Sequence, residues 1–297
     1  MADITPHPPR IAFMGFGEAA EAFASGWAFG PEAAITAFDI KSADPAARDA
    51  LIARGRANAV ACADRLPDAM TGAAVVFSLV TADQALAAAQ AAAPSLDPGT
   101  LWLDCNSCAP QTKRQAAAVI EGAGGHYVDV AVMAPVHPKR HLVPLLVAGP
   151  HAARALEVLA GLGMRPDSAG DQVGDASSIK MIRSVMIKGI EALCAECLLA
   201  AQRAGVADAV MTSLAGTYPG IDWPERGAYN LERMLVHGTR RAAEMREVAV
   251  TIAGLGIPSR MSAATALWQD QLADLGLDAG PDDFTARADL ILSHIGG

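Results

Sequence analysis

The chain has 297 residues, of which 52% are hydrophobic and 19% are charged, and its formal net charge is −9. This composition supplies a sizeable buried core and excludes a disordered chain. The negative charge argues against nucleic-acid binding through a broad basic surface, because phosphate contacts need clustered lysine and arginine. No apolar run reaches the ~18 residues of a membrane helix, and the five cysteines suit a reducing compartment. We therefore expect a cytoplasmic protein with neither a nucleic-acid nor a membrane partner.

The first half of the chain alternates short apolar runs with helix-like segments, which is typical of a doubly wound, mostly parallel sheet. Strands are predicted at residues 10–15, 34–39, 73–78, 100–104, 127–129 and 144–147, and helices at 18–28, 45–55, 82–93 and 111–121. After a Gly/Asp-rich stretch at 168–175, helices are predicted at 177–204, 207–214, 231–253, 261–274 and 285–293. The pattern predicts an α/β domain over residues 1–172 and an all-α domain over 173–297.

A glycine-rich turn follows the first predicted strand and opens the first predicted helix. Its sequence, GFGEAA, matches the pattern G-x-G-x-x-G/A. The first glycine permits a tight turn, the second lets the backbone approach a pyrophosphate, and the small third residue lets helix and strand pack closely. The helix N-terminus then offers free N–H groups and a positive dipole. The turn predicts a Rossmann dinucleotide-binding domain whose cofactor-binding residues include Gly15, Phe16, Gly17, Glu18, Ala19 and Ala20.

The end of the second predicted strand bears on the choice of cofactor. Asp39 stands where a carboxylate accepts a hydrogen bond from the ribose 2′-OH. Its charge favours NAD, because it repels the 2′-phosphate of NADP. Lys41 lies two residues later and could bind that phosphate, so NADP stays an alternative. Val80 and Thr81, after the third predicted strand, are expected to line the cofactor.

Lys180 lies near the start of the long helix that follows the domain boundary. Ser184 and Lys188 follow at four-residue spacing, so the three residues share one helix face. A lysine that is desolvated in a cleft loses basicity and becomes a workable general acid or base. The face is therefore interpreted as a catalytic wall, with a solvated helix face as the alternative.

Four segments resemble the β-hydroxyacid dehydrogenase family, which includes 3-hydroxyisobutyrate and 6-phosphogluconate dehydrogenases. They are the turn at 11–20, DCNSCAP at 104–110, DVAVMAP at 129–135 and GDASSIKMIRS at 174–184. The second resembles the family's D-x-S-T-x-x-P loop beside the nicotinamide, and the third stands at the place of its substrate loop D-x-P-V-S-G-G. In the fourth, Lys180 matches the family's catalytic lysine. The resemblance covers nearly the whole chain and is strongest to a branch labelled only as 6-phosphogluconate-dehydrogenase-like.

The substrate segments depart from the family pattern. Where the family has Ser-Gly-Gly to hold a carboxylate, this chain has Met133, Ala134 and Pro135, and proline has no N–H to donate. The helix asparagine of the family is replaced by Ser184 or, in another register, by Arg183. These changes indicate a less polar substituent than the usual family substrates carry.

The resemblance implies hydride transfer between a small β-hydroxy acid, or a related alcohol, and NAD. Lys180 is then the general acid/base, and Asn106 orients the hydroxyl or the nicotinamide amide. Arg240, Arg241, His237 or Lys188 would supply positive charge for an acidic substrate. The expected substrate-binding residues are Met133, Ala134, Ser184, Lys188, His237 and Arg241. A homodimer formed through the helical half is also expected by analogy with the family.

Two other functions stay open. An imine reductase uses a related fold with a different proton donor in place of the lysine, so Lys180 argues against it. A non-catalytic NAD-binding redox sensor would explain the altered substrate loop. A zinc site at Cys105/Cys108 and Cys194/Cys197 is not expected, because four-cysteine sites place both pairs in turns and the second pair lies in a predicted helix.

Overall fold

The computed structural model describes residues 9–30 and 34–295. The chain forms two compact units, Met1–Lys180 and Met181–Gly297. The boundary between them falls inside helix α7 (Asp175–Arg203). The boundary expected from the sequence, after residue 172, lies in the loop that precedes this helix.

The first unit contains one eight-stranded sheet with the order β3-β2-β1-β4-β5-β6-β7-β8. All neighbouring strands are parallel except β6 and β7, which are antiparallel. The strands are β1 (Ile11–Met14), β2 (Ile35–Phe38), β3 (Val60–Cys62), β4 (Val75–Ser78), β5 (Leu101–Asp104), β6 (His126–Val132), β7 (Pro144–Ala148) and β8 (Arg165–Gly170).

Helices of the first unit connect most of these strands. They are α1 (Glu18–Trp27), α2 (Pro45–Ala57), α3 (Leu66–Met70), α4 (Ala85–Ala92), α5 (Pro110–Gly122) and α6 (Ala152–Gly161). Alternate residues of a strand enter different cores, as a sheet covered on both faces requires. Phe13 packs with Phe23 and Phe77 in one core, whereas Ala12 packs in a second core with Trp102 and Tyr127. The predicted doubly wound α/β fold is confirmed.

The second unit is helical. After α7 come α8 (Ala207–Thr217), α9 (Trp223–Gly254), α10 (Arg260–Ala273) and α11 (Phe284–His294). Their apolar sides enclose a core that includes Leu198, Leu231, Met234, Leu272 and Ile291.

Helix α9 begins earlier than the predicted residue 231. The Asp222 side chain accepts a hydrogen bond from the Glu225 N–H at 3.0 Å, and a proline occupies the first turn. Both features mark a helix N-terminus. In the described part of the chain, no helix is both long and apolar enough to span a membrane.

Four short or exposed elements are absent from the sequence prediction: β3, α3, α6 and β8. Strand β8 shows why, since its sequence RPDSAG is mostly exposed and lacks alternating apolar residues. It is held at the sheet edge by backbone pairing with β7. A strand that depends on its neighbour for hydrogen bonds leaves little trace in hydrophobic periodicity.

Candidate active site

The carboxyl ends of four neighbouring strands lie at one edge of the sheet. The last residues of β1, β4 and β5 lie side by side in the sheet, and the row continues to Asp129 of β6. The four residues of this row are Met14, Ser78, Asp104 and Asp129. In open α/β sheets, ligands bind outside the carboxyl ends of the strands. The segments that follow these residues therefore form the candidate site.

The glycine turn after β1 fits a dinucleotide pyrophosphate. Gly15 has φ +89°, and a Cβ there would lie 2.6 Å from the Leu79 carbonyl oxygen and 2.9 Å from Val80 Cγ1. A Cβ on Gly17, by contrast, would meet no described atom within 4 Å. Since no described side chain caps α1, the first N–H groups of the helix stay available to an anion. The turn thus combines a position that only glycine can occupy with an open approach to the backbone.

Asp39 is fixed beside this turn. Its Oδ2 accepts a hydrogen bond from the Phe16 N–H at 2.9 Å, and its Oδ1 accepts one from the Lys41 N–H at 2.9 Å. Arg54 Nη1 donates to the Phe16 carbonyl oxygen at 2.9 Å. These hydrogen bonds therefore fix the Asp39 carboxylate, which is expected at the ribose, relative to the glycine turn.

The remaining residues of the turn divide between packing and exposure. The side chains of Phe16 and Ala20 are completely buried, whereas Ala19 is half-buried and Glu18 is exposed. Lys41 is exposed as well, so its ammonium group is accessible from solvent.

Asn106 connects the ends of β4 and β5. Its Oδ1 accepts a hydrogen bond from the Val80 N–H at 2.7 Å, and its Nδ2 donates to Ser78 Oγ at 2.9 Å and to Asp104 Oδ1 at 2.8 Å. The amide therefore fixes the half-buried Val80, one of the residues predicted to line the cofactor. Thr81, the other, is exposed. A direct role of Asn106 in orienting substrate or nicotinamide stays a prediction.

Lys180 reaches the loop that follows β5. Its Nζ donates a hydrogen bond to Ser107 Oγ at 2.7 Å, and the bond is partly buried. Ser107 directly follows Asn106, so the amine and a hydroxyl meet beside the wall formed by Asn106 and Val80. Ser107 is not among the residues predicted from the sequence, although it occupies the second hydroxyl position of the D-x-S-T pattern.

The predicted substrate loop after β6 presents apolar surface. The Met133 N–H donates to the Pro144 carbonyl oxygen at 2.9 Å. The half-buried Met133 side chain packs beside Ala131, Ala148 and Ala176. Ala134 packs against the main core of the sheet. The backbone donor at Met133 is therefore already used.

In the second unit, Lys188 is paired with Glu244. Lys188 Nζ lies 2.9 Å from Glu244 Oε2 and donates to Ser184 Oγ at 3.4 Å. Glu244 Oε1 also accepts a hydrogen bond from Arg240 Nη1 at 2.8 Å. Ser184 and Lys188 are brought together as their helical spacing predicts.

Arg241 belongs to a separate buried pair with Glu191. Arg241 Nε donates to Glu191 Oε2 at 3.0 Å, Nη2 contacts Oε1, and Gln269 Nε2 donates to Oε2 at 2.9 Å. His237 is half-buried on α9. Because a carboxylate accompanies both Lys188 and Arg241, their expected roles toward an acidic substrate stay predictions.

Burial keeps two cysteines protonated, Cys105 in the loop after β5 and Cys194 in the second unit. Burial raises the pKa of Cys105 to about 12, and it also raises the pKa of Cys194. Within residues 9–30 and 34–295, no cluster of three or more His, Cys, Asp or Glu side chains has an arrangement that could hold a metal ion.

Two family descriptions match the chain. Residues 10–161 match the NAD binding domain of 6-phosphogluconate dehydrogenase, and residues 201–272 match DUF1932, a domain of unknown function. The first match spans strands β1 to β7 and the glycine turn. The chain therefore belongs to the 6-phosphogluconate dehydrogenase NAD-binding family and carries a nicotinamide dinucleotide-binding domain.

Solved structures extend this similarity over both units. A conserved hypothetical protein from Sinorhizobium meliloti 1021 is 39% identical, with 98% of each chain covered and a TM-score of 0.75. MTH1747, a conserved protein described as similar in structure to 3-hydroxyacid dehydrogenases, is 31% identical over 89% of this chain and 97% of its own, with a TM-score of 0.67. Mycobacterium tuberculosis 3-hydroxyisobutyrate dehydrogenase shares the fold at 18% identity, with 95% and 99% covered and a TM-score of 0.70.

A curated relative covers the chain only in part. An uncharacterized 28.5 kDa protein of Methanothermus fervidus is 26% identical over 148 residues, which is 50% of this chain and 56% of the relative. The chain thus spans little more than half the length of this curated relative. The 3-hydroxyisobutyrate dehydrogenase-like fold predicted from the sequence is confirmed, and homodimer formation stays a prediction.

Proposed function

We propose that this protein is an NAD-dependent dehydrogenase that oxidises the hydroxyl group of a small β-hydroxy acid or a related alcohol. The observation that carries the proposal is the 2.7 Å hydrogen bond from Lys180 Nζ to Ser107 Oγ. It fixes an amine next to Asn106, whose side chain holds Val80 beside the glycine turn. A proton acceptor and a dinucleotide turn thus lie at the same edge of the sheet.

Lys180 has the role of proton acceptor. A bound nicotinamide supplies the hydride acceptor for this chemistry. As the carbonyl forms, the substrate hydroxyl loses its proton, and a base within hydrogen-bond reach must take it. Lys180 Nζ accepts that proton, while Ser107 Oγ holds the amine in place. In the reductive direction, Lys180 returns the proton to the same oxygen.

The turn and Asp39 support NAD as the cofactor. The first turn of α1 would bind the pyrophosphate through its N–H groups, and Asp39 would accept from the ribose 2′-OH. Both oxygens of Asp39 already accept backbone hydrogen bonds at 2.9 Å. A carboxylate oxygen has a second lone-pair site, so Asp39 can still accept a hydrogen bond from a ribose hydroxyl. The fixed negative charge disfavours a 2′-phosphate.

The loop after β6 supports a substrate with an apolar substituent. Met133 and Ala134 offer side-chain surface, and the Met133 N–H is already bonded to Pro144. This loop therefore offers fewer free backbone N–H groups to a carboxylate than the substrate loop of the dehydrogenases that the sequence resembles. The described relatives supply the classes to be screened, 3-hydroxyacids and 3-hydroxyisobutyrate among them.

A substrate screen tests the proposal. Purified protein is mixed with NAD and, separately, with NADP, and formation of reduced nicotinamide is followed with β-hydroxy acids, β-hydroxy amino acids and neutral alcohols. We expect turnover with NAD that requires Lys180 and is best with a substrate carrying an apolar substituent. NAD binding without turnover of any compound would contradict the proposal and favour a redox sensor. Reduction of an imine panel without oxidation of any alcohol would favour the imine reductase alternative.

A further inference from the structure

Lys113 is a charged side chain that is completely buried beneath the candidate site. It lies on α5, on the face that packs toward the sheet with Ala116, Ala117 and Ile120. A lysine on the apolar face of a helix is unusual, because burying an unpaired ammonium group is strongly unfavourable. Its partners therefore indicate what it does.

The first partner is Asp104, the last residue of β5. Lys113 Nζ donates to the Asp104 carbonyl oxygen at 2.5 Å and to Asp104 Oδ1 at 3.0 Å. Asp104 Oδ1 also accepts from the Asn106 N–H at 3.0 Å and from Asn106 Nδ2 at 2.8 Å. Through Asn106 this side of the cluster reaches the Val80 N–H.

The second partner is Asp129, which lies opposite Asp104 on β6. Lys113 Nζ lies 3.3 Å from Asp129 Oδ1. The other oxygen, Oδ2, accepts hydrogen bonds from the Gly174 N–H at 3.1 Å, the Ser177 N–H at 3.0 Å and Ser177 Oγ at 2.9 Å. Asp129 therefore holds the first turn of α7, one turn before Lys180.

The ammonium group is charged at neutral pH. Burial by itself lowers the pKa of Lys113, but the charges of Asp104 and Asp129 outweigh it and raise the pKa above its ordinary value. A buried ion cluster of this kind contributes little net stability compared with apolar side chains of similar volume. What it does provide is a fixed geometry among the groups that it joins.

We propose that Lys113 is a positioning residue that sets the geometry of the Lys180–Ser107 pair. One side of the cluster fixes the loop after β5, which carries Asn106 and Ser107. The other side fixes the start of the helix that carries Lys180. The single ammonium group of Lys113 thus joins the two segments that must meet for proton transfer. The expected effect of Lys113 on kcat rests on the proposed function. Its expected effect on the order of the two segments does not.

The test uses a double variant, Lys113→Met with Asp129→Asn. The single Lys113→Met variant would leave two buried carboxylates without a cation, which is strongly destabilising. The double variant removes one positive and one negative charge, so the net charge of the cluster is unchanged. Asp104 keeps its donors from Asn106 and from the Tyr127 hydroxyl, which lies 2.7 Å away.

Thr100→Val is the matched control. Thr100 is buried before the other end of β5, where its hydroxyl donates to the Ala73 carbonyl oxygen at 3.0 Å. Its loss removes a buried hydrogen bond from the same region of the sheet without touching the cluster. It therefore measures the effect of reduced stability alone.

Two measurements are compared among the wild type, the double variant and the control. In hydrogen exchange, the amides of residues 173–180 and 78–81 should exchange faster in the double variant and at wild-type rates in the control. In steady-state kinetics, kcat of the double variant should fall by about tenfold or more, because small misplacement of a reacting group has effects of this size. The KM and the NADH dissociation constant should stay within about threefold of their wild-type values, since the two replaced side chains are completely buried.

Unchanged exchange in both segments would overturn the proposal, and so would a kcat no lower than that of Thr100→Val. If the wild type oxidises no substrate, the proposed function fails on its own. The exchange rates then decide the positioning role without any kinetic measurement.

Discussion

Lys180 donates a 2.7 Å hydrogen bond to Ser107, the residue next to Asn106 in the loop after β5. The contact joins two segments that are far apart in sequence, and each is tied to the sheet by its own hydrogen bonds. Asn106 binds the Val80 N–H, and Ser177, one turn before Lys180, binds Asp129. The amine of Lys180 is therefore held by a hydrogen-bond network that also holds Val80, one of the residues predicted to line the cofactor.

The Ser107 hydroxyl should contribute to turnover by holding Lys180. A hydrogen bond between uncharged groups contributes about 0.5–1.5 kcal/mol, so Ser107→Ala should reduce kcat by roughly 2- to 10-fold. Ser107→Thr keeps the hydroxyl and should retain most of the activity. Both variants should bind NADH like the wild type, as measured by its fluorescence. Equal turnover by the alanine variant and the wild type would show that the contact has no role in catalysis.

Asp39 should determine the preference for NAD over NADP. Asp39→Asn keeps one side-chain oxygen, which can accept from the Phe16 or the Lys41 N–H group, but it removes the charge that repels a 2′-phosphate. We expect the ratio of the NADP to the NAD dissociation constant to fall by about fivefold or more, since close charge pairs contribute at least about 1 kcal/mol. Calorimetric titration of both cofactors measures this ratio. Tighter binding of NADP than of NAD by the wild type would contradict the assignment and point to Lys41.

Cys105 should resist alkylation although it lies near the candidate site. Burial raises its pKa to about 12, so at pH 8 only about one thiol in ten thousand is a thiolate, against roughly a quarter of ordinary cysteines. Cys197 is exposed and should react first with iodoacetamide. Mass spectrometry of the native protein after labelling locates the modified residues, and Cys197→Ser should abolish the fast phase. Labelling of Cys105 at the rate of Cys197 would be inconsistent with the burial described here.

The buried Glu191–Arg241 pair should stabilise the second unit only while both partners are present. Arg241→Met leaves the Glu191 carboxylate with Gln269 as its remaining hydrogen-bond partner. We expect a loss of about 3–5 kcal/mol in the free energy of unfolding, because an uncompensated buried charge is left behind. Glu191→Gln combined with Arg241→Met should recover much of that loss. Urea denaturation of the three proteins tests this, and equal stability of the single and double variants would disprove the coupling.

The main elements of the fold follow from the sequence because they are marked by strong local signals. Strands β1, β4 and β5 are buried throughout and apolar except for the final Ser78 and Asp104, and the glycine turn marks the first crossover. Strand β8 is polar and exposed, and it exists because β7 supplies its hydrogen bonds. Elements of that kind depend on tertiary pairing, which a single sequence does not display.

Some residues of the candidate site can be predicted from the sequence, whereas the pairing of others cannot. Asp39 and Lys180 stand out by their spacing from recognisable turns and helix starts. The paired arrangement of Lys188 with Glu244 and of Arg241 with Glu191 depends on how α7 packs with α9, so spacing along one helix cannot reveal it. Lys113 could have been noticed, since it occupies the apolar face of α5 at helical spacing. Its partners, Asp104 and Asp129, become apparent only once the register of β5 and β6 is known.

Turnover by Lys180→Met, measured beside NADH binding by the same protein, tests the role of Lys180 as proton acceptor most directly. Methionine keeps the length and packing of the side chain but cannot accept a proton. We predict that kcat falls by about 100- to 10,000-fold, the range that a general acid/base contributes, while the NADH dissociation constant changes by less than about threefold. Wild-type turnover by this variant would contradict the account, since the hydroxyl proton would then leave by another route.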